Sequence, residues 1–366
     1  MEQDNEFWNA FRDKFNSGKV LPIFSNSFFI NRLFSPVGNS SSSVHYDENI
    51  ADLWAKETKY PFSDRYDLAE VAQYDLFQKC SHDKFADEAK VIIEGYLRIL
   101  KEQLLENLRT TDKDTYDYAA KYNFWPDSTF SLFCARANLP KIAGTGIEDS
   151  NAFDCISKLI EHRKVTGYLT TCYFDFLEQT FRLLKQPYYT NYYGNQNGFS
   201  YANEKGETIP TEALYQPMKP GIPYIYHILG HEDHPDSMVM SVDDHINFLI
   251  RTKQPQEVYK DKKAAIPELI DSEIENKTLL FIGYRWQDWE FRTIFRWIVG
   301  IQDDDRLKYS PKKASVVIQF QPGPKELIHV GFEEAAQQYL QNYFAHCNLD
   351  IQWQDSEDFF CKLLHE

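Results

Sequence analysis

The constraint that most narrows the fold is a run of four apolar residues, LLFI at 279–282, that stops at Gly283 and opens into YRWQDWEF. Four residues are too few for a helix core and suit a strand buried on both faces. Gly283 permits a tight turn and a close backbone approach to a ligand. A helix with Asp288 and Glu290 in its first turn is expected to follow. Open α/β sheets place nucleotides at the carboxyl ends of parallel strands, so this segment predicts a sheet type and a location on it.

The same grammar recurs along the chain. EFWNAFRDKF sets Phe7, Phe11 and Phe15 at i, i+4 and i+8, the stripe of an amphipathic helix. KVLPIF follows as a short buried strand, and Ser25, Asn26 and Ser27 stand at the first strand-to-helix turn. A doubly wound fold usually holds a dinucleotide phosphate there. SPVGNSSSSV at 35–44 reads as a mobile loop. From Asn49 to Leu108 the apolar spacing is helical, which places an inserted helical module at 49–125. Beyond it, Tyr168 to Thr171 read as a strand and Phe174 to Leu184 as a helix. YYTNYYGNQNGF reads as a loop or hairpin whose tyrosines stack on an adenine, face a partner or pack over the sheet edge. PYIYHIL is a strand, GHEDHPD a turn, and MVMSVDDHINFLI changes from strand to helix at Asp243, with Ser241 as N-cap. ASVVIQF, EEAAQQYLQNYF, LDIQW and SEDFFCKLL complete the alternation. Such alternation predicts an α/β, Rossmann-like doubly wound parallel sheet with the helical module inserted.

Composition excludes several classes. The net charge is −16, with 39 Lys and Arg against 55 Asp and Glu and no dense basic run. Affinity for nucleic acid comes chiefly from cationic contacts to phosphate, so nucleic acid is not expected as the primary ligand. The six cysteines are scattered, with no CxxC pair. That supports neither a zinc module nor a disulfide framework, and the thiols read as reduced and buried. His231, Asp233 and His234 carry ligand chemistry, but adjacent loop positions rarely converge on one ion, so no metal is expected. No run is long and apolar enough to span a membrane, and the acidic N-terminus is unlike a signal peptide. A soluble, cytoplasmic chain is expected.

Three motifs in order, YLTTCYFDFLE, PYIYHILG with SMVMSVDDHINFL, and LLFIGYRWQDWEF, join VLPIFSNSF and LAEVAQY. Together they resemble the sirtuin-like proteins of prokaryotes, which occur widely in anti-phage defence systems. The resemblance implies a Rossmann-type NAD-binding domain at 1–48 and 126–366, carrying the helical module. It implies NAD as cofactor and NAD hydrolysis with nicotinamide release, rather than protein deacylation, as the activity. It further implies triggering or assembly, by homo-oligomerisation or by a partner protein of a defence operon. The alternative is an inactive sirtuin-fold module that binds NAD, a nucleotide signal or a partner.

The departures from the family pattern decide between these. The Gly-rich phosphate loop is replaced by Ser25, Asn26 and Ser27. The ribose-contacting Asn of a TTN motif corresponds to Cys172, whose thiol is a weak hydrogen-bonding group. The catalytic His of an HG pair corresponds to Leu229 before Gly230. His227, two residues earlier on the same strand face, is either a substitute general base or a hydrogen-bonded core histidine. Cys172 forms a dyad with it or is inert packing. Asp175 either orients the site or serves the helix dipole. The candidates for catalysis are His227, Asp175 and Cys172, of which only Asp175 follows from the resemblance. It assigns Ser25, Asn26, Ser27, Thr171, Cys172, Gly230, Gly283 and Tyr284 to the cofactor.

Overall fold

The computed structural model describes residues 2–34, 46–80, 88–111, 113–120, 129–136, 154–195, 197–209, 218–253, 266–302, 315–319, 333–345, 349–354 and 356–364. The loop expected at 35–44 lies outside the described residues.

The buried apolar runs form one sheet. Its strands are β1 (Val20–Phe24), β2 (Gly167–Thr170), β3 (Tyr188–Tyr192), β4 (Ser200–Ala202), β5 (Thr208–Ile209), β6 (Tyr224–His227), β7 (Thr278–Ile282), β8 (Ser315–Gln319) and β9 (Leu349–Trp353). The order across the sheet is β5-β4-β3-β6-β2-β1-β7-β8-β9. All neighbours from β3 to β9 are parallel; only β3–β4 and β4–β5 are antiparallel. The central strands β1, β2, β6 and β7 are buried at every position, as strands covered on both faces must be. The fold is α/β and Rossmann-like, and β6-β2-β1-β7-β8-β9 follows the common dinucleotide-fold order. After β1 the chain builds one wing through β2, and from β7 it builds the other. The topological switch therefore falls between β1 and β7.

The Tyr-rich segment forms a hairpin, one of the two forms expected of it: YYTNY is the regular strand β3, paired with β6 on one side and with β4 on the other. One local reading needs correction. Residues 238–241, read as a strand, pair with no strand. Their apolar side chains are buried against the rest of the fold, and Val239 N–H reaches only Leu229 O at 2.9 Å. Ser241 does open the next helix, α10 in chain order (Val242–Lys253). Its Oγ accepts Asp244 N–H at 3.2 Å while Asp244 Oδ2 accepts Ser241 N–H at 3.0 Å, a reciprocal cap.

Between β1 and β2 lie α2 (Asn26–Phe34), α3 (Tyr46–Thr58), α4 (Leu68–Lys79), α5 (Glu88–Thr111), α6 (Lys113–Ala120), α7 (Phe130–Arg136) and α8 (Asp154–Glu161). α3, α4 and α5 pack on one another. Trp54 donates its indole N–H to Asp75 at 3.2 Å, and Lys79 pairs with the same carboxylate at 2.7 Å. The apolar stripe of α5, including Ile92, Tyr96, Leu100 and Leu104, is buried. After the sheet begins its second wing, α12 (Trp289–Gln302) packs against α10. The N-terminal helix α1 (Glu2–Asn16) meets α14 (Ser356–Leu364) through Trp8, Phe11 and Phe359. No helix among the described residues is long and apolar enough to cross a membrane.

Candidate functional site

The site is built where two strand-to-helix turns meet at the switch point. β1 and β7 pair along their full length, so residues 25–27 and 283–290 emerge side by side. Ser25 locks the two turns: its Oγ donates to Gly283 O at 2.7 Å and accepts Phe28 N–H at 2.9 Å, capping α2. Gly283 has φ +76°, and a Cβ there would lie 2.5 Å from Phe28 Cβ. A glycine is needed because α2 sits against the turn. The close approach is made by the protein itself.

The first amide of α2 is already engaged. Asn26 N–H lies 2.9 Å from Glu290 Oε1 and 3.3 Å from Thr171 Oγ1. Thr171 also donates its hydroxyl to Glu290 and meets the Tyr284 hydroxyl at 3.0 Å. A carboxylate from α12 thus occupies the partially positive end of α2, the position favourable to an anion. Above this network opens a cleft that continues into solvent and encloses about 40 Å³. Its lining includes Asn26, Ser27, Tyr66, Asp67, Tyr96, Tyr173, His245, Asp288, Trp289 and Glu290. Arg285 also lines it, but its guanidinium pairs with Glu48 and, at 3.0 Å, with Asp288.

The cleft is negatively crowded and partly unsatisfied. Burial, and then Asp288, raise the Asp67 carboxyl to about 7. Burial holds His245 down to about 3, so its ring is neutral at physiological pH. Asn26 is 5% exposed and His245 3%. Asn26 donates Nδ2–H to Tyr96 at 3.1 Å, but its Oδ1 has no hydrogen-bond partner, nor has Nδ1 of His245. Buried polar atoms without partners are uncommon and call for a physical explanation.

Ser25, Asn26, Ser27, Thr171, Gly283 and Tyr284 are brought together in and beneath this cleft. His227, Cys172, Asp175 and Gly230 are not among its lining residues. His227 is 1% exposed. Its Nδ1–H donates to the Cys172 carbonyl and its Nε2–H to Glu178, both at 2.8 Å. Two acceptors require two ring N–H groups, hence an imidazolium. The electrostatics agree. Burial would lower His227 and raise Glu178, but their pairing outweighs it, raising His227 and holding Glu178 at about 2. Burial and the neighbouring His227 charge push His231 down to about 4. In this conformation His227 has no lone pair with which to accept a proton.

Cys172 meets His227 through its backbone carbonyl, and burial pushes its thiol well up, away from the thiolate. Asp175 precedes α9 (Phe176–Leu183), where it pairs with Arg182 and accepts from Gln179. Gly230 has φ +91°, and a Cβ there would meet Ser237 O at 2.2 Å, so this glycine serves the 231–237 turn. In that turn Glu232 is buried and accepts the backbone N–H groups of Phe130 and Ser131, at 2.6 and 2.9 Å. No group of three or more His, Cys, Asp or Glu among the described residues is arranged for a metal ion.

Residues 166–347 match the sequence model of the SIR2-like domain. The chain is a sirtuin-like protein. No curated protein matches it. The matched span starts just before β2, so β1 and its Ser25–Asn26–Ser27 turn lie ahead of it, while Glu290, His245 and Tyr284 lie within it. SIR2-like domains generally bind NAD. In this sirtuin-like protein the unpartnered Asn26 and His245 atoms, set among aromatic rings, fit the polar heterocyclic parts of such a ligand. A pyrophosphate finds Glu290 already on the α2 amide and would have to displace it. Glu290, Tyr96, Asp67 and His245 were not among the residues assigned from sequence. Glu290 and Asp67 had a visible signal as acids at helix starts, whereas Tyr96 looked like one more residue of a core stripe.

Proposed function

We propose that this sirtuin-like protein is a binding module for NAD or a related nucleotide, and that in the state described it does not cleave its ligand. The observation that carries this reading is the double engagement of His227. The family's histidine position holds Leu229, its asparagine position Cys172, and the histidine two residues earlier on the strand, His227, donates from both ring nitrogens. A general base needs a free lone pair within reach of its proton. The two unsatisfied side chains at the cleft support ligand binding without requiring chemistry.

The direct experiment is calorimetric titration of the purified protein with NAD, with nicotinamide measured chromatographically in the same samples. Saturable binding with no nicotinamide above the protein-free control is expected. Nicotinamide release by the isolated protein that disappears in His227→Ala contradicts the proposal.

A second reading, NAD hydrolysis in anti-phage defence after assembly or engagement of a partner protein, is favoured by one feature. Asp67 lines the cleft with a carboxyl raised to about 7 by burial and by Asp288, so it exchanges protons near neutrality. On that reading, adding the triggering partner produces nicotinamide release, and Asp67→Asn, which preserves the helix cap, abolishes it.

A further inference from the structure

The charge at the foot of the cleft bears on which part of a ligand can enter it. The α2 N-terminus attracts anions, and its first N–H is the natural partner of a ligand phosphate. Here Glu290 takes that N–H at 2.9 Å and is held in place by the Thr171 hydroxyl. Asp67 and Asp288 add two further carboxyl groups to the lining, and the Arg285 guanidinium is paired with Glu48 and Asp288. A phosphate brought to α2 would meet a carboxylate at contact distance, where like charges repel. The unsatisfied groups call for something different. Asn26 Oδ1 and His245 Nδ1 are single polar atoms on uncharged, buried side chains, and Tyr173 and Trp289 supply rings beside them. Whichever way the Asn26 amide is turned, one polar end stays unmatched, because Tyr96 satisfies only the other.

We infer that Glu290 is the selectivity residue of this cleft: with its carboxylate seated on α2, the cleft takes an uncharged nucleoside and turns away the same nucleoside carrying a diphosphate. The inference rests on the reading that the cleft receives NAD or a related nucleotide, and it adds a condition to it. The heterocycle and ribose engage first, and a phosphate reaches α2 only by displacing Glu290. Thr171 is a positioning residue in this scheme, since it orients Glu290 and need not touch the ligand.

The test is isothermal titration of adenosine, ADP and NAD into the wild-type protein, Glu290→Gln and Thr171→Val, each checked for folding by its circular-dichroism melt. Wild type is expected to bind adenosine at least about tenfold more tightly than ADP. Glu290→Gln keeps the shape and removes the charge, so ADP should gain about tenfold or more while adenosine changes little; tenfold corresponds to about 1.4 kcal/mol. Thr171→Val should shift ADP in the same direction by less. Equal binding of adenosine and ADP by wild type overturns the inference, as does a preference that survives unchanged in Glu290→Gln. In either case NAD binding leaves the nucleotide-module reading standing. No binding of any of the three compounds to any folded variant overturns both.

Discussion

At the scale of single residues, the His227–Glu178 pair governs the chemistry that this protein can offer. Both groups are nearly inaccessible, with Thr190 donating to the same Glu178 oxygen at 2.7 Å. Removing one partner of a buried pair strands the other charge, at a typical cost of about 3–5 kcal/mol. Glu178→Gln should therefore lower stability by that order in urea denaturation. The pair also predicts a pH profile. Glu178 is held at about 2, below its ordinary 4.5, so its contribution is present above 4.5 and fades as pH falls toward 2. His227 is raised above its ordinary 6.5, so its contribution is complete below 6.5 and is lost as pH climbs through the raised value. The advantage of wild type over Glu178→Gln in urea midpoint should thus be level between about 4.5 and 6.5 and shrink on both sides. An advantage that does not vary with pH would show that the pair is not an ion pair.

At the scale of elements, turns decide more than strands do. Gly283 and Gly221 share positive φ values, +76° and +83°, but their surroundings differ. A Cβ at Gly283 collides with Phe28 and Ser25, whereas one at Gly221 meets nothing within 4 Å. Gly221→Ala should cost only backbone strain, on the order of 1 kcal/mol, while Gly283→Ala should cost about 3 kcal/mol or more by forcing α2 off the β7 turn. Equal losses in a chemical melt would refute the packing explanation. Much of this level was legible beforehand. The apolar runs of β1, β7, β8 and β9, and the helices after each, follow from length and periodicity alone. The misreading at 238–241 has a physical cause: an apolar tetrad records burial, and burial arises from a sheet or from irregular chain packed beneath other elements. At Gly283, where the sequence leads one to expect a ligand close to the backbone, it is α2 that stands there.

At the scale of the whole molecule, the cleft is assembled from distant stretches, and for that reason its charge was not legible. Asn26 and Glu290 stand 264 positions apart, and Asn26 and Tyr96 70 apart. No local pattern records that a first-turn acid of α12 ends on the first amide of α2. A separation of 49 positions likewise hid the partner of His227, which comes from helix α9. Tyr96 ties the helices between β1 and β2 to the first turn of the sheet, a link that a double-mutant cycle can weigh. Tyr96→Phe and Asn26→Ala should each destabilise by about 1–3 kcal/mol, and jointly by less than their sum, with a coupling of at least about 0.5 kcal/mol. Strict additivity would mean that the hydrogen bond carries no weight.

The divided ownership of the cleft wall has a mechanical corollary. Tyr66 and Asp67 stand on the turn that opens α4 and Tyr96 on α5, while His245, Trp289 and Glu290 ride on α10 and α12. The aperture is shared between distant parts of one chain. A partner on the outer face of α4 or α5 that shifts these residues changes the hold on a guest, and the guest then changes the hold on that partner by an equal free energy.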